Sequence, residues 1–169
     1  MTESKTAGPQ IVYLSLGSNV GDRGAHLRDA IARLGAVGRV LSVSSFYETG
    51  PVEFTEQPWF LNCAVEMETD RSPEELIAGL LQIEREMGRV RTGKKGPRKI
   101  DIDILLFGNL IIDSPRLTIP HPAMAQRRFV LEPLAEIAAG VRHPVLKKTV
   151  RELLELLPVT GQEVRKVEI

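Results

Sequence analysis

Asp101 and Asp103, separated by one residue in the run IDIDILLF, are the residue types whose spacing points most directly to chemistry. On a strand, positions two apart share a face, so the pair projects together about 6.6 Å apart along the backbone. Ile100, Ile102 and Ile104 then take the opposite, buried face. Two such carboxylates can jointly hold hard cations, and magnesium ions about 3.5–4 Å apart are a common device for phosphoryl transfer. A half-exposed strand with acidic outer positions would alternate in the same way, so the pattern alone leaves that plainer reading open. Directly upstream, GRVRTGKKGPRK places Arg89, Arg91, Lys94, Lys95, Arg98 and Lys99 within eleven residues that contain no acid. Interrupted by Gly93, Gly96 and Pro97, this segment reads as a mobile basic loop that a polyphosphate would order, its arginines forking onto phosphate oxygens. In isolation it reads equally as a solvated charge run or an RNA-binding patch. Taken side by side, a cation-binding pair and an anion-binding loop have one economical explanation, a polyphosphate that bridges them.

Downstream, Arg116, His121 and Arg127 lie in the Pro-punctuated stretch RLTIPHPAMAQRRF and would complete a cationic surround, although a histidine between two prolines is also an ordinary turn residue. No Walker A motif is present: GSNVGDRG has the glycines and lacks the Lys-Ser/Thr ending, so a nucleotide site must be built differently. For an acceptor, Phe60 and Asn62 share one strand face while Leu61, Cys63, Val65 and Met67 face the core. A flat heterocycle can stack on the ring, and the amide offers donor and acceptor to a pyrimidinone-like edge. Phe129 would supply a second wall, unless both rings are plain core residues.

These residues need elements to position them. The apolar run Ile11 to Leu16 predicts a buried strand, and Leu27, Ala30, Ile31 and Leu34 follow the spacing of an amphipathic helix closed by Gly35. Val40 to Thr49 and Phe60 to Thr69 predict the next strands, joined by GPVEFTEQPW. Ser72-Pro73-Glu74-Glu75 opens a helix with an N-cap, a proline at the first position and a capping box. Lys99 to Phe107 predicts a strand and Leu110 to Ile112 a short return strand, with loop and helix thereafter. The order βαββαβ is that of a ferredoxin-like α+β plait, an antiparallel sheet with both helices on one face, here with a C-terminal helical extension.

Residues 1–9 read as a flexible leader and 10–169 as a single domain, for which a chain of 169 residues with 43% hydrophobic content is ample. Twenty-two basic residues balance 22 acidic ones, so no global field recruits nucleic acid or an anionic membrane. Cys63 is the lone cysteine, which excludes an internal disulfide framework and fits a reducing, cytoplasmic setting. Neither a signal-peptide pattern nor a run of about eighteen apolar residues occurs, so a soluble protein is expected, and a monomer is the expected state.

In combination, four blocks resemble the 6-hydroxymethyl-7,8-dihydropterin pyrophosphokinases: YLSLGSNVGDR, SSFYETGPV with QPWFLNCAVEMET, GRVRTGKKGPRKIDIDILLFGN, and LTIPHPAMAQRRFVLEPLAEIA. The resemblance runs from about Val12 to Ile137. It implies transfer of the β,γ-diphosphate of ATP to the hydroxymethyl group of a reduced pterin, with release of AMP, in folate synthesis. It also implies that Asp101 and Asp103 hold two Mg2+ ions, and that Arg89, Arg91, Arg98, Arg116, His121 and Arg127 contact ATP, with Glu84 in the nucleotide region. Arg89 and Arg98 join the two aspartates as catalytic candidates. The pterin would lie between Phe60 and Phe129, its polar edge read by Asn62 and by the backbone of Thr49, Gly50 and Val52. Two positions depart from the family pattern, Lys95 where many members have Trp and Pro122 where some have Tyr. Other classes remain open to the sequence, namely a non-catalytic ferredoxin-like RNA-binding module and a metal-dependent nuclease that uses the same aspartates.

Overall fold

A computed structural model describes residues 8–50, 59–88, 99–158 and 163–168. Strand β1 (Gln10–Ser18) leads into helix α1 (Arg23–Arg33), which Asp22 caps by accepting from the Ala25 N–H. A short 3-10 turn follows, and then β2 (Arg39–Val43), β3 (Phe46–Thr49) and β4 (Phe60–Thr69). Helix α2 (Pro73–Glu86) has the expected start: Ser72 accepts from the Glu75 N–H, Glu75 reaches back to the cap backbone, and Pro73 needs no donor there. Next come β5 (Asp101–Phe107), a small hairpin of β6 (Ile112–Asp113) and β7 (Thr118–Ile119), helices α3 (Arg128–Ala138) and α4 (Val150–Glu155), and β8 (Val164–Val167).

Six strands form an antiparallel sheet in the order β5-β1-β4-β3-β8, with β2 also paired to β4, and β6 and β7 form a separate two-stranded sheet. Counting β2 and β3 as one bent strand recovers the ferredoxin-like order predicted from sequence. Alternation divides the sheet into two apolar faces. Leu14, Leu16, Cys63, Val65, Ile102 and Ile104 pack under Leu27 and Ala30 of α1 and Leu76 and Leu80 of α2. On the other face, Tyr13, Ala64 and Leu105 pack under Leu131 and Leu134 of α3 and Val150 and Leu153 of α4.

Three details differ from the expected elements. Val40 to Thr49 is not continuous: its pairing with β4 is interrupted between β2 and β3, where the Ser44 hydroxyl accepts from the Ala64 N–H and donates to the Ser45 carbonyl. Those side-chain bonds compete with the ladder, as serine does wherever it can reach the backbone. The return strand expected over Leu110 to Ile112 begins at Ile112 and pairs with Thr118–Ile119 rather than with β5. The C-terminal segment is not only loop and helix, because Val164–Val167 adds an outer strand against β3. No helix among the described residues is long and apolar enough to cross a membrane.

Candidate functional site

The α3 and α4 layer covers the sheet over Tyr13, Ala64 and Leu105, and the remaining strip of that face lies toward the ends of β1, β4 and β5. Strand register brings four of the predicted residues onto it. Asp101 pairs with Gly17, which pairs with Asn62, which pairs with Tyr47; Asp103 pairs with Ser15, and Phe60 with Thr49. Asp101 and Asp103 are half-buried, while Ile100, Ile102 and Ile104 of the same segment are buried on the far side. The acid pair therefore faces the strip because the isoleucines claim the core.

Gly17 was not among the predicted site residues, yet it decides how the strip is floored. A Cβ at position 17 would lie 2.6 Å from Asn62 Nδ2 and 3.5 Å from Phe60 Cδ1. Only a residue without a side chain lets the Asn62 amide lie across β1. A glycine inside an otherwise apolar strand is the sequence signal for such a close approach. Asn62 is 5% exposed; its Oδ1 accepts from the Thr49 hydroxyl at 2.9 Å, and among the described residues its Nδ2 meets no acceptor. A buried amide donor that meets no acceptor among the described residues is costly unless a ligand answers it.

The cationic side is partly described. His121 follows β7, and its backbone N–H donates to the Leu105 carbonyl, which ties the loop to β5 beyond the aspartates. Its Nδ1 accepts from the Ala123 N–H at 3.1 Å, so a neutral ring carries its proton on Nε2. Burial holds the His121 pKa below the usual histidine value and the nearby Arg127 charge lowers it further, while Asp101 pulls the other way. Histidine, arginine and aspartate thus lie within electrostatic reach of one another. Arg127 caps the start of α3 with its guanidinium 5.5 Å from the centre of the Phe129 ring, and Phe129 packs half-buried against the α3 side of the sheet. Arg116 is exposed in the turn between β6 and β7.

Glu84 lies against β5, the strand that carries the acid pair. It is 2% exposed on α2, and its Oε2 accepts from the Ile102 N–H at 2.8 Å, on the edge of β5 that no described strand covers. Arg89, Arg91, Arg98 and Val52 lie outside the described residues. Thr49 is buried and Gly50 half-buried, both at the end of β3 beside Phe60. Among the described residues no group of three or more His, Cys, Asp or Glu side chains could hold a metal, so Asp101 and Asp103 stand as a two-carboxylate platform. That donor set fits magnesium, which is commonly bound by one or two carboxylates with phosphate oxygens and waters filling the rest.

An antiparallel α+β sheet that sets an acid pair beside cationic side chains, with an amide and a ring along the same strip, defines a ferredoxin-like phosphotransferase domain. The family model for 7,8-dihydro-6-hydroxymethylpterin-pyrophosphokinase matches residues 13–139. The chain belongs to that family, and its relatives agree. It is 50% identical over 133 residues to the Bacillus subtilis 2-amino-4-hydroxy-6-hydroxymethyldihydropteridine pyrophosphokinase, covering 78% of this chain and 80% of that protein. It is 44% identical over 153 residues to the Methylorubrum extorquens protein of the same name, covering 89% and 96%. A folic acid synthesis protein of Dictyostelium discoideum is 42% identical over 95% of this chain, but the chain spans 24% of that longer protein. Among solved structures, Plasmodium falciparum HPPK-DHPS with pteroate shares the fold at a TM-score of 0.71 and 18% identity, over 87% of this chain and 42% of that one. These matches lend nothing to the RNA-binding alternative.

Proposed function

We propose that this chain transfers the β,γ-diphosphate of ATP to the hydroxymethyl group of 6-hydroxymethyl-7,8-dihydropterin, releasing AMP, in folate biosynthesis. Family membership gives the reaction class, and the observation that carries the reading to this chain is the buried Asn62 amide aimed across Gly17, on the same sheet face as Asp101 and Asp103. A pterin edge would answer Asn62 Nδ2 with an acceptor, and the backbone of Thr49, Gly50 and Val52 would read the rest of that edge. Phe60 and Phe129 would hold the two faces of the ring. Asp101 and Asp103 would hold two Mg2+ ions, which when bound neutralise phosphate charge and polarise the phosphoryl oxygens.

Opposite them, Arg116, His121 and Arg127, with Arg89, Arg91 and Arg98, would bind the triphosphate. Held in line, the pterin hydroxymethyl oxygen attacks the β-phosphorus, the bond from that phosphorus to the α,β-bridging oxygen breaks, AMP departs, and the hydroxyl proton is lost to solvent. No covalent enzyme intermediate is needed, since positioning and charge neutralisation supply the acceleration. Its balanced charge supports small molecules, rather than nucleic acid or an anionic membrane, as its partners, and we propose that residues 10–169 act as one monomeric cytoplasmic domain.

The test is AMP release measured with ATP, reduced pterin and magnesium, leaving out each in turn. AMP that appears only when all three are present supports the reading, and AMP formed without pterin overturns it. Arg98→Ala should keep ATP binding and turn over at least roughly 10²-fold more slowly, the usual cost of one well-placed charge donor.

A further inference from the structure

The outer strand β8 lies beyond the residues that the family model matches, yet it reaches the pterin side of the site. Val164 pairs with Thr49, and the Gly50 N–H donates to the Glu163 carbonyl at 3.4 Å. From this strand Arg165 places its guanidinium carbon 4.9 Å from the centre of the Trp59 ring. Its Nη2 and Nε also lie 3.0 and 3.3 Å from Glu48 Oε1. The other oxygen of Glu48 accepts from Arg23 Nη2 at 2.6 Å, and Arg23 Nη1 donates to the Trp59 carbonyl at 2.8 Å. Ring, cation, carboxylate, cation and carbonyl thus close a circuit around Trp59, joining α1, β3 and β8 to the residue that precedes β4. The Trp59 ring in turn lies 3.7 Å from where a Gly50 Cβ would sit, and the next residue is Phe60.

We propose that Arg165 is a positioning residue for the pterin wall: it fixes the Trp59 ring against Gly50 and thereby sets where Phe60 and the Thr49–Gly50 backbone meet the substrate. The inference rests on the pterin reading given above. Among the described residues nothing in the circuit touches the acid pair or the His121 side, so its loss falls on one substrate only. Glu48 is the hub, with its side chain 17% exposed against 65% for Arg165. The hydrogen bond from Arg23, and after it the one from Arg165, keeps the Glu48 carboxyl below the usual carboxylate range, in agreement with a hub charged at neutral pH.

The chain has one tryptophan, so its emission reports this circuit directly. Emission spectra, kcat, and KM for pterin and for ATP are to be measured on the full chain for Arg165→Ala, Arg165→Lys and Glu48→Gln. Arg39→Ala, which breaks an exposed pair with Glu68 on β2 and β4, is the control. Arg165→Ala should shift the emission and raise the pterin KM roughly three- to tenfold, the scale of a partly exposed cation–ring contact plus a surface ion pair, with kcat and ATP KM within about twofold. Arg165→Lys, which keeps a cation over the ring, should recover most of both signals. Glu48→Gln should move them in the direction of Arg165→Ala, and it decides the matter if Arg165→Ala does not fold. An active wild type whose pterin KM is unchanged by Arg165→Ala, or equal losses for both substrates, or the same effect from Arg39→Ala, overturns the inference alone. A wild type that forms no AMP overturns the pterin reading and this role with it.

Discussion

At position 62 a buried amide has one end satisfied by Thr49 and the other directed over a glycine, which is an expensive arrangement to keep for packing alone. Asn62→Leu, similar in size but without the donor, should lower the melting temperature, because it strands the buried Thr49 hydroxyl, and weaken pterin binding about tenfold, a loss of about 1.4 kcal/mol, while ATP binding to the folded protein holds. Calorimetric titration with each substrate checks this, and equal weakening of both would show that the residue only shapes the sheet. His121 behaves differently, because burial and Arg127 keep its folded pKa below 6.5. The unfolded ring gains its proton first as pH falls, so stability is lost below about 6.5 down to the folded pKa, and unchanged above. Proton NMR should show His121 titrating below the ordinary value, and His121→Asn, which preserves an acceptor for the Ala123 N–H and lacks Nε2–H, should fold yet bind ATP less tightly. The residue types at both positions were legible from sequence, since Asn62 shares a strand face with Phe60 and His121 sits among prolines and arginines. Gly17 carried only a general signal, a glycine in an apolar strand, because the neighbour it admits is fixed by the register of β1 against β4.

Strand β5 carries the acid pair at the end of the described sheet, and an edge strand is the part of a sheet most easily displaced. Glu84 pins it by accepting from Ile102 N–H, between the two aspartates. Glu84→Gln keeps an oxygen acceptor there, whereas Glu84→Leu strands a buried N–H at a cost of about 1–3 kcal/mol. Thermal or urea unfolding should therefore rank wild type above Glu84→Gln and Glu84→Leu last, and the magnesium concentration for half-maximal AMP release should rise most in Glu84→Leu. A magnesium requirement untouched in a folded Glu84→Leu protein would separate the clip from the site. Elements with local signals were readable: β5 by alternation, α2 by the Ser72–Glu75 box. Strand β8 was hidden because Val164–Val167 is short and mostly polar, and only pairing with β3 makes it a strand. The interruption between β2 and β3 was hidden for a similar reason, since Ser44 reaches Ala64 across the sheet.

The two helical layers are held to the sheet by buried apolar area, and the α3 layer is also tied by a polar knot that contributes to the pH dependence of stability on both sides of neutrality. Glu136 of α3 accepts from the Tyr47 hydroxyl at 2.6 Å and from the Ser45 N–H and hydroxyl at 3.0 Å each, joining the helix to β3. Burial pushes the Glu136 pKa up, but the bonds from Tyr47 and Ser45 outweigh it and leave the carboxyl below its usual 4.5. With Glu48 lowered as well, the unfolded chain binds more protons than the folded one as pH falls below about 4.5. Their stabilisation is complete above that value and is lost as the solution passes through the folded pKa values. The alkaline side mirrors it. Burial, then the bond to a carboxylate, raises Tyr13 to about 12 and raises Tyr47 further still, so above the ordinary tyrosine value of 10.0 the unfolded chain releases protons that the folded one keeps. Stability should therefore fall on both flanks, and one pair, Tyr47 with Glu136, contributes to each. Glu136→Gln should flatten the acid limb of a urea-midpoint profile and weaken the alkaline one, while Tyr47→Phe should remove part of the alkaline limb and let the Glu136 pKa climb. If Tyr47→Phe altered only the plateau near neutral pH and left both slopes as they were, the knot would be a packing contact and the pH limits would have to arise elsewhere in the molecule.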